Sequence, residues 1–349
     1  MAYSSIVKPT DYFNTVLWTG NGTDDRSITG VGFKPDWVWY KERSNVGDHT
    51  VHDIVRGAGE RLFTADTSAE SLDANSLQAF ESDGFQIGTN SDVNGNTETY
   101  VGWSWLGGGT ASSNTDGSIT STVSANTTAG FSIVSYTGNG STNQTIGHGL
   151  GVEPDFIIIK ARSTTMNWPT YQKVMGNGVA FLDLTDAWAS GSGYDNYWYT
   201  SGMTSSTFGV SNNINTNTSG ATFIAYVFSS KTGYSKFGSY TGNGNADGTF
   251  VYTGFKPAFI MVKGTNESNQ DWAIFDNKRD PINKVTQRIQ PSSSAAESGG
   301  QDIDFLSNGV KFRVTGDFIN GSYNYIYMAF AEAPLVANDS GIAVPVVAR

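Results

Sequence analysis

The chain has 349 residues, no cysteine, 13% aromatic but only 15% charged residues, and a formal net charge of −11. The lack of cysteine excludes disulfides, thiolate nucleophiles and zinc–sulfur sites, and an acidic surface repels phosphate backbones, which excludes nucleic acid as a natural partner. So many aromatics beside so few charges exclude disorder, and 41 glycines point instead to short strands joined by tight turns.

The first residues, Met1 to Pro9, contain no apolar stretch of the signal-peptide kind, and no later run is apolar enough to cross a membrane. A strand is expected from Phe13 to Trp18. It is followed by the tetrad Thr19-Gly20-Asn21-Gly22, in which Asn-Gly reads as a hairpin turn because both residues tolerate positive φ. The segment Gly32-Phe33-Lys34-Pro35-Asp36-Trp37-Val38-Trp39-Tyr40-Lys41 reads as a turn launching a strand, with Pro35 at the start, where its missing N–H costs little. The lysine at its end is expected where the strand re-enters solvent.

His49 and His52, with Asp48 and Asp53 beside them, have the composition of a metal-ligand set. Their i, i+3 spacing shares a face only on a helix, and nothing around them reads as helix, so a solvated loop is expected. Asp83-Gly84 reads as a turn feeding a strand. Asp92-Val93-Asn94-Gly95-Asn96 resembles the start of a calcium loop but lacks glycine at the sixth loop position and glutamate at the twelfth, so it reads as a turn. A closing strand is expected from Tyr100 to Trp105.

The same signatures then return twice in the same order. The tetrad recurs at Thr137–Gly140 and Thr241–Gly244, and the launching turn at Gly151–Lys160 and Gly254–Lys263. The closing strand recurs at Phe223–Phe228 and Tyr325–Phe330. Such self-similarity reads as three copies of one unit of roughly 105 residues, long enough to bury a core. The run Phe156-Ile157-Ile158-Ile159 is apolar on both faces and reads as a central strand. The expected fold is all-β: three tandem pseudo-repeated antiparallel β-sandwich units of jelly-roll type, at residues 1–106, 118–229 and 230–334. Residues 107–117 read as a flexible Gly/Ser-rich linker, and the Ser229–Gly233 joint as short enough to fix its neighbours. Residues 335–349 read as an extended tail, with Leu335, Val336, Ile342, Val344, Val346 and Val347 as candidates for an assembly arm.

Catalytic equipment is missing. There is no Gly-x-Ser-x-Gly elbow, P-loop or dinucleotide fingerprint. Asn21, Asn139 and Asn243 recur in every tetrad, so turn geometry explains them. Asp36 and Asp155 recur at strand starts where the third copy has Ala258, and residues in separate units promise no facing carboxylate pair. No cofactor and no metal are expected. The one conspicuous feature that does not recur is aromatic: Trp188, then Tyr194, Asn196, Tyr197, Trp198 and Tyr199. Rings beside amides suit a glycan, and equally a core or a subunit contact.

The opening Asp11-Tyr12-Phe13-Asn14-Thr15-Val16-Leu17-Trp18-Thr19-Gly20-Asn21-Gly22, with Gly-Phe-Lys-Pro-Asp-Trp-Val downstream, resembles tandem β-sandwich virion proteins of tailed, mainly marine, bacteriophages. Such proteins are described as concanavalin A-like lectins or tail-fibre-like. The resemblance covers nearly the whole chain. It implies a non-enzymatic structural protein on the virion surface, assembled with other virion proteins and with copies of itself. On that reading it is a lectin-like appendage that contacts a host glycan. A capsid decoration protein is the alternative, and a polysaccharide depolymerase comes third.

Overall fold

The computed structural model describes residues 4, 6–316, 318–339 and 342–345. Three antiparallel sheets organise them, each with the strand order opening, closing, launched, side. The opening strands are Phe13–Thr19, Phe131–Thr137 and Ser235–Thr241, and the closing strands Thr99–Trp105, Thr222–Phe228 and Asn324–Pro334. The launched strands are Trp37–Glu42, Phe156–Ala161 and Phe255–Gly264; beside them lie the side strands Thr50–Asp53, Pro169–Gln172 and Ala273–Asp276. A smaller sheet covers one face of each, for example Arg26–Thr29, Gly84–Ile87 and Leu77–Glu81 over the first. The Asp83-Gly84 and Asn308-Gly309 turns join neighbouring strands of these outer sheets, as their chemistry predicts.

The tetrads are not hairpin turns. Thr19–Gly22 leads from the opening strand to Arg26–Thr29 in the other layer. Each tetrad folds over a fully buried asparagine: Asn94, Asn217 or Asn320. Those side chains accept from the backbone N–H of Asn21, Asn139 and Asn243 and donate to the Thr23, Ser141 and Asn245 carbonyls. The approach is so close that a Cβ on Gly20, Gly138 or Gly242 would meet backbone oxygen at 2.0, 2.4 and 2.0 Å.

Because side chains alternate along a strand, each launched strand has two faces to bury. Val38 and Tyr40 point into the first sandwich, against Leu77, Phe85 and Ile87. Ile157 and Ile159 do the same in the second, and Ile260 and Val262 in the third. The opposite faces, carrying Trp37 and Trp39, Phe156 and Ile158, and Phe259 and Met261, all enter one core shared by the three sheets. Rings make the joins. Trp37 stacks on Tyr226 with centroids 4.4 Å apart, Phe156 on Phe237 at 6.0 Å, and Phe13 on Phe330 at 5.0 Å.

The seams between sheets close in a ring. Met166 N–H donates to Thr67 O, Gln270 N–H to Thr185 O and Gly47 N–H to Ser294 O, at 2.9, 3.2 and 3.0 Å. A second set repeats the pattern, with Glu70 N–H to Arg162 O, Trp188 N–H to Thr265 O and Glu297 N–H to Arg43 O. The accessible surface is 12019 Å2. Size scaling gives about 14,000 Å2 for one globule of this mass and about 18,000 Å2 for three separate ones, so the three units form one body.

Two connecting segments differ from expectation. The 107–117 stretch is fastened rather than flexible: Ser112–Asn114 pairs with Ser121–Asn126, and Gly108 N–H donates to Ser124 Oγ at 3.0 Å. Both strands extend the second sheet beyond its opening strand. In the tail, Val336–Asp339 and Ile342–Pro345 pair as a hairpin, not an extended arm. Leu335 and Val336 are half-buried. Ile342 and Val344 lie in the second hairpin strand, and Val346 and Val347 lie outside the described residues.

Candidate functional site

Several of the buried charged side chains lie at the seams. Lys41, Lys160 and Lys263 end the launched strands, but none re-enters solvent; all three are fully buried. Odd–even alternation puts them on the shared-core face, and there backbone carbonyls cap them. Lys160 Nζ donates to Met166 O and, at 2.7 Å, to Thr67 O of the neighbouring unit. Lys41 Nζ donates to Glu42 O and Lys263 Nζ to Gln270 O. Burial pushes each ammonium down to about 8, while acidic neighbours such as Asp183 and Asp66 around Lys160 oppose the shift.

The histidines are equally dry. His49 and His52 are fully buried, not in a solvated loop. His49 Nδ1 accepts from Trp39 Nε1–H at 2.9 Å, and His52 Nε2 lies 3.3 Å from Ser76 Oγ in the first sandwich. Backbone alternation along the side strand sends the two rings to different cores, so they cannot share a metal. No group of three or more potential ligands is assembled among the described residues. Burial holds His49 and His52 well below the usual imidazole range and lowers His148 as well.

These groups are all bases whose folded pKa lies below the unfolded value. In the window between the two values the unfolded chain binds more protons, so stability rises with pH and is lost as pH falls. For the lysines that window runs from about pH 8 to 10.5. Buried tyrosines such as Tyr136, Tyr226 and Tyr240, pushed well above 10 by burial, reverse the trend beyond pH 10. The unfolding free energy should therefore climb between pH 8 and pH 10, by an amount on the order of a few kcal/mol, and the melting temperature with it. Thermal melts across that range check this, and a Lys160→Met variant should climb less.

Two of the buried carboxylates, Asp53 and Asp276, are saturated by structure. Asp53 Oδ2 accepts from Arg56 Nε and, across the first seam, from Tyr226 Oη–H at 2.8 Å. Asp276 Oδ2 accepts from Arg279 Nε and, across the third seam, from Trp103 Nε1–H at 3.0 Å. With backbone N–H groups on their other oxygens, neither is placed to act as an acid or base on a substrate. Asp36 and Asp155 do sit at strand starts, and there they pin the chain leaving the unit: Gly109 N–H donates to Asp36 at 3.1 Å and Ser230 N–H to Asp155 at 2.7 Å.

The aromatic candidates divide. Trp198, 2% exposed, meets Tyr171 and faces the second core, with Tyr197 buried beside it against Phe181. Trp188 is partly buried against the shared core, and Tyr199 donates its N–H to Gly209 O. Asn196 Oδ1 accepts from Asn213 Nδ2, and Tyr194 alone of the group is exposed, stacked on Tyr197. A sugar-gripping row is thus not what these residues build; most of them fill core. The asparagines under the tetrads were missed. Their signal is an Asn that precedes the closing strand in each copy, as in Val93-Asn94-Gly95 and Ile319-Asn320-Gly321.

Comparison with curated proteins and with solved structures yields no match. The family described as a domain of unknown function, DUF7483, matches residues 8–334, which span all three sheets, and the chain belongs to that family.

Proposed function

We propose that the protein is a non-enzymatic structural component of a virion surface, a rigid block that stiffens or decorates the particle. The observation that carries this reading is the shared aromatic core, which fuses three sandwiches into one body. That construction spends the largest side chains on rigidity. The buried ion pairs serve the seams, and the carboxylates among them have no free face for chemistry. The resemblance of the opening segment to tailed-phage proteins supplies the particle setting. A glycan-attachment role is the second reading, and the exposed Tyr194 ring favours it.

Immunogold labelling of intact particles with antibody against the purified chain tests the proposal. Label over the head is the expected result. Label confined to the tail would favour attachment, and unlabelled particles would remove the virion reading altogether.

A further inference from the structure

The third unit carries a trio of side chains that the other two lack. Lys256 lies at the start of the launched strand, Asn277 just past the side strand on one flank, and Glu332 on the closing strand on the other. The register slips here, from Lys256 opposite Ala333 to Pro257 opposite Ala331, so Glu332 falls in a bulge, a place that re-aims a side chain. Its Oε2 lies 3.2 Å from Lys256 Nζ and accepts from Asn277 Nδ2 at 2.8 Å. One oxygen thus holds the two nitrogens no more than about 6 Å apart. Lys256 and Asn277 are 5% and 6% exposed. Asn277 Oδ1 has no hydrogen-bond partner among the described residues, which in a buried amide asks for an explanation.

The other units serve as internal controls. Asn277 N–H donates to Ala258 O as Lys173 N–H does to Asp155 O and Ile54 N–H to Asp36 O, so these positions match. The first unit sets Lys34, Ile54 and Gly107 where the third has the trio, and the second sets Glu153, Lys173 and Ser230. The scaffold therefore needs neither the amide nor the acid. In the second unit Lys173 Nζ lies 3.0 Å from Glu153 Oε2, so side chains at the Lys256 and Asn277 positions can touch directly.

We propose that the trio makes an intramolecular amide bond between Lys256 Nζ and Asn277 Cγ, with Glu332 as the acid–base group. Glu332 takes a proton from the Lys256 ammonium, and the free amine attacks Cγ. The carboxyl then passes that proton to Nδ2 and takes a second from Nζ, so that ammonia leaves and carries the last proton off as ammonium. One C–N bond forms and one breaks, nothing is oxidised or reduced, and no co-reactant is needed. The geometry suits a shuttle, because the oxygen that touches the attacking nitrogen also touches the leaving one. Burial of Lys256 and Asn277 keeps water from competing for Cγ, while Glu332 keeps 22% of its side chain exposed, so solvent reaches the trio to remove ammonia. The bond ties the start of the launched strand to the end of the side strand and closes a loop of about 20 residues, a brace that a chain without cysteine cannot make from a disulfide. It lies within one unit and does not depend on where the protein sits in a particle.

The test is the intact mass of the purified full chain after prolonged incubation, followed by a tryptic digest. The chain should weigh about 17 Da less than its sequence, the mass of one ammonia. The digest should contain a branched fragment that joins Lys256 to Asn277. A succinimide at one of the Asn-Gly pairs gives the same mass loss, so the branched fragment decides. Glu332→Gln and Lys256→Met should each abolish it, and the Glu332→Gln chain should melt at a lower temperature than the bonded wild type. A wild-type digest with Lys256 and Asn277 only on separate linear fragments overturns the inference without recourse to any variant. Equal branching in the Glu332→Gln chain would overturn the role given to the carboxylate.

Discussion

Residues 110–230, expressed as a separate fragment, should fail to fold cooperatively. The second unit buries its own sandwich, yet Phe131, Ile133, Phe156, Ile158, Tyr226 and Phe228 lie on the other face of its main sheet and enter the shared core. Full burial of such a side chain stabilises by roughly 1.5–3 kcal/mol. Six of them amount to about 9–18 kcal/mol, as much as the whole stability of an ordinary domain. The fragment would also expose a broad apolar patch, the usual route to association. The expected result is dye binding to exposed apolar surface, a weak near-UV signal and no sharp melt. The intact chain should show a single calorimetric transition. A fragment that melts sharply, or an intact chain with three separate transitions, would mean that the shared core contributes little.

That prediction also marks where sequence reading stops. The run Phe156–Ile159 is visibly apolar on both faces, and a doubly covered strand follows from the pattern alone. The pattern does not say what covers the second face. A self-sufficient sandwich and a sheet facing two neighbours leave the same trace in one strand. The recurring lysines were misread for a related reason. A charge ending an apolar run is solvated in most proteins, and one of the two carbonyls that replace water around Lys160, Thr67 O, comes from the first unit, far away in sequence. His49 and His52 were misplaced by the same absence of tertiary information. By contrast, the Asp83-Gly84 and Asn308-Gly309 turns needed nothing beyond local chemistry.

The aromatic run Tyr194–Tyr199 shows a subtler limit. Tyr and Trp serve cores, interfaces and sugar sites alike, and composition cannot choose among them. Backbone placement chooses: Trp198 bridges to Val210 at the edge of the outer sheet and so turns inward.

Replacing Arg56 with alanine should cost about 3–5 kcal/mol in chemical unfolding, because it leaves the buried Asp53 carboxylate without its cation. Both side chains are fully buried. Arg56 also donates to Val51 O at 2.9 Å and to Glu70 at 3.1 Å, so its loss strands several acceptors at once. Arg43, which meets Glu297 at the third seam with 20% of its side chain exposed, is the fitting control. Water can replace it, and its alanine variant should cost no more than about 1 kcal/mol. The second seam shows what the pair is for. There the position matching Asp53 and Asp276 is Gln172, opposite Phe156 as Asp53 is opposite Trp37. Across that seam the Gln172 amide makes a long 3.5 Å contact to Gly238 O of the third unit. A seam can thus close without a buried ion pair at this position, by packing and backbone hydrogen bonds such as Trp188 N–H to Thr265 O. The charged pairs at the other two seams then act mainly against wrong registers, since a misaligned Asp53 would be buried without Arg56 and Tyr226. On this argument a double replacement, Asp53→Leu with Arg56→Leu, should recover much of the lost stability. If Arg56→Ala costs as little as Arg43→Ala, the seams are held by their rings and the charges are incidental.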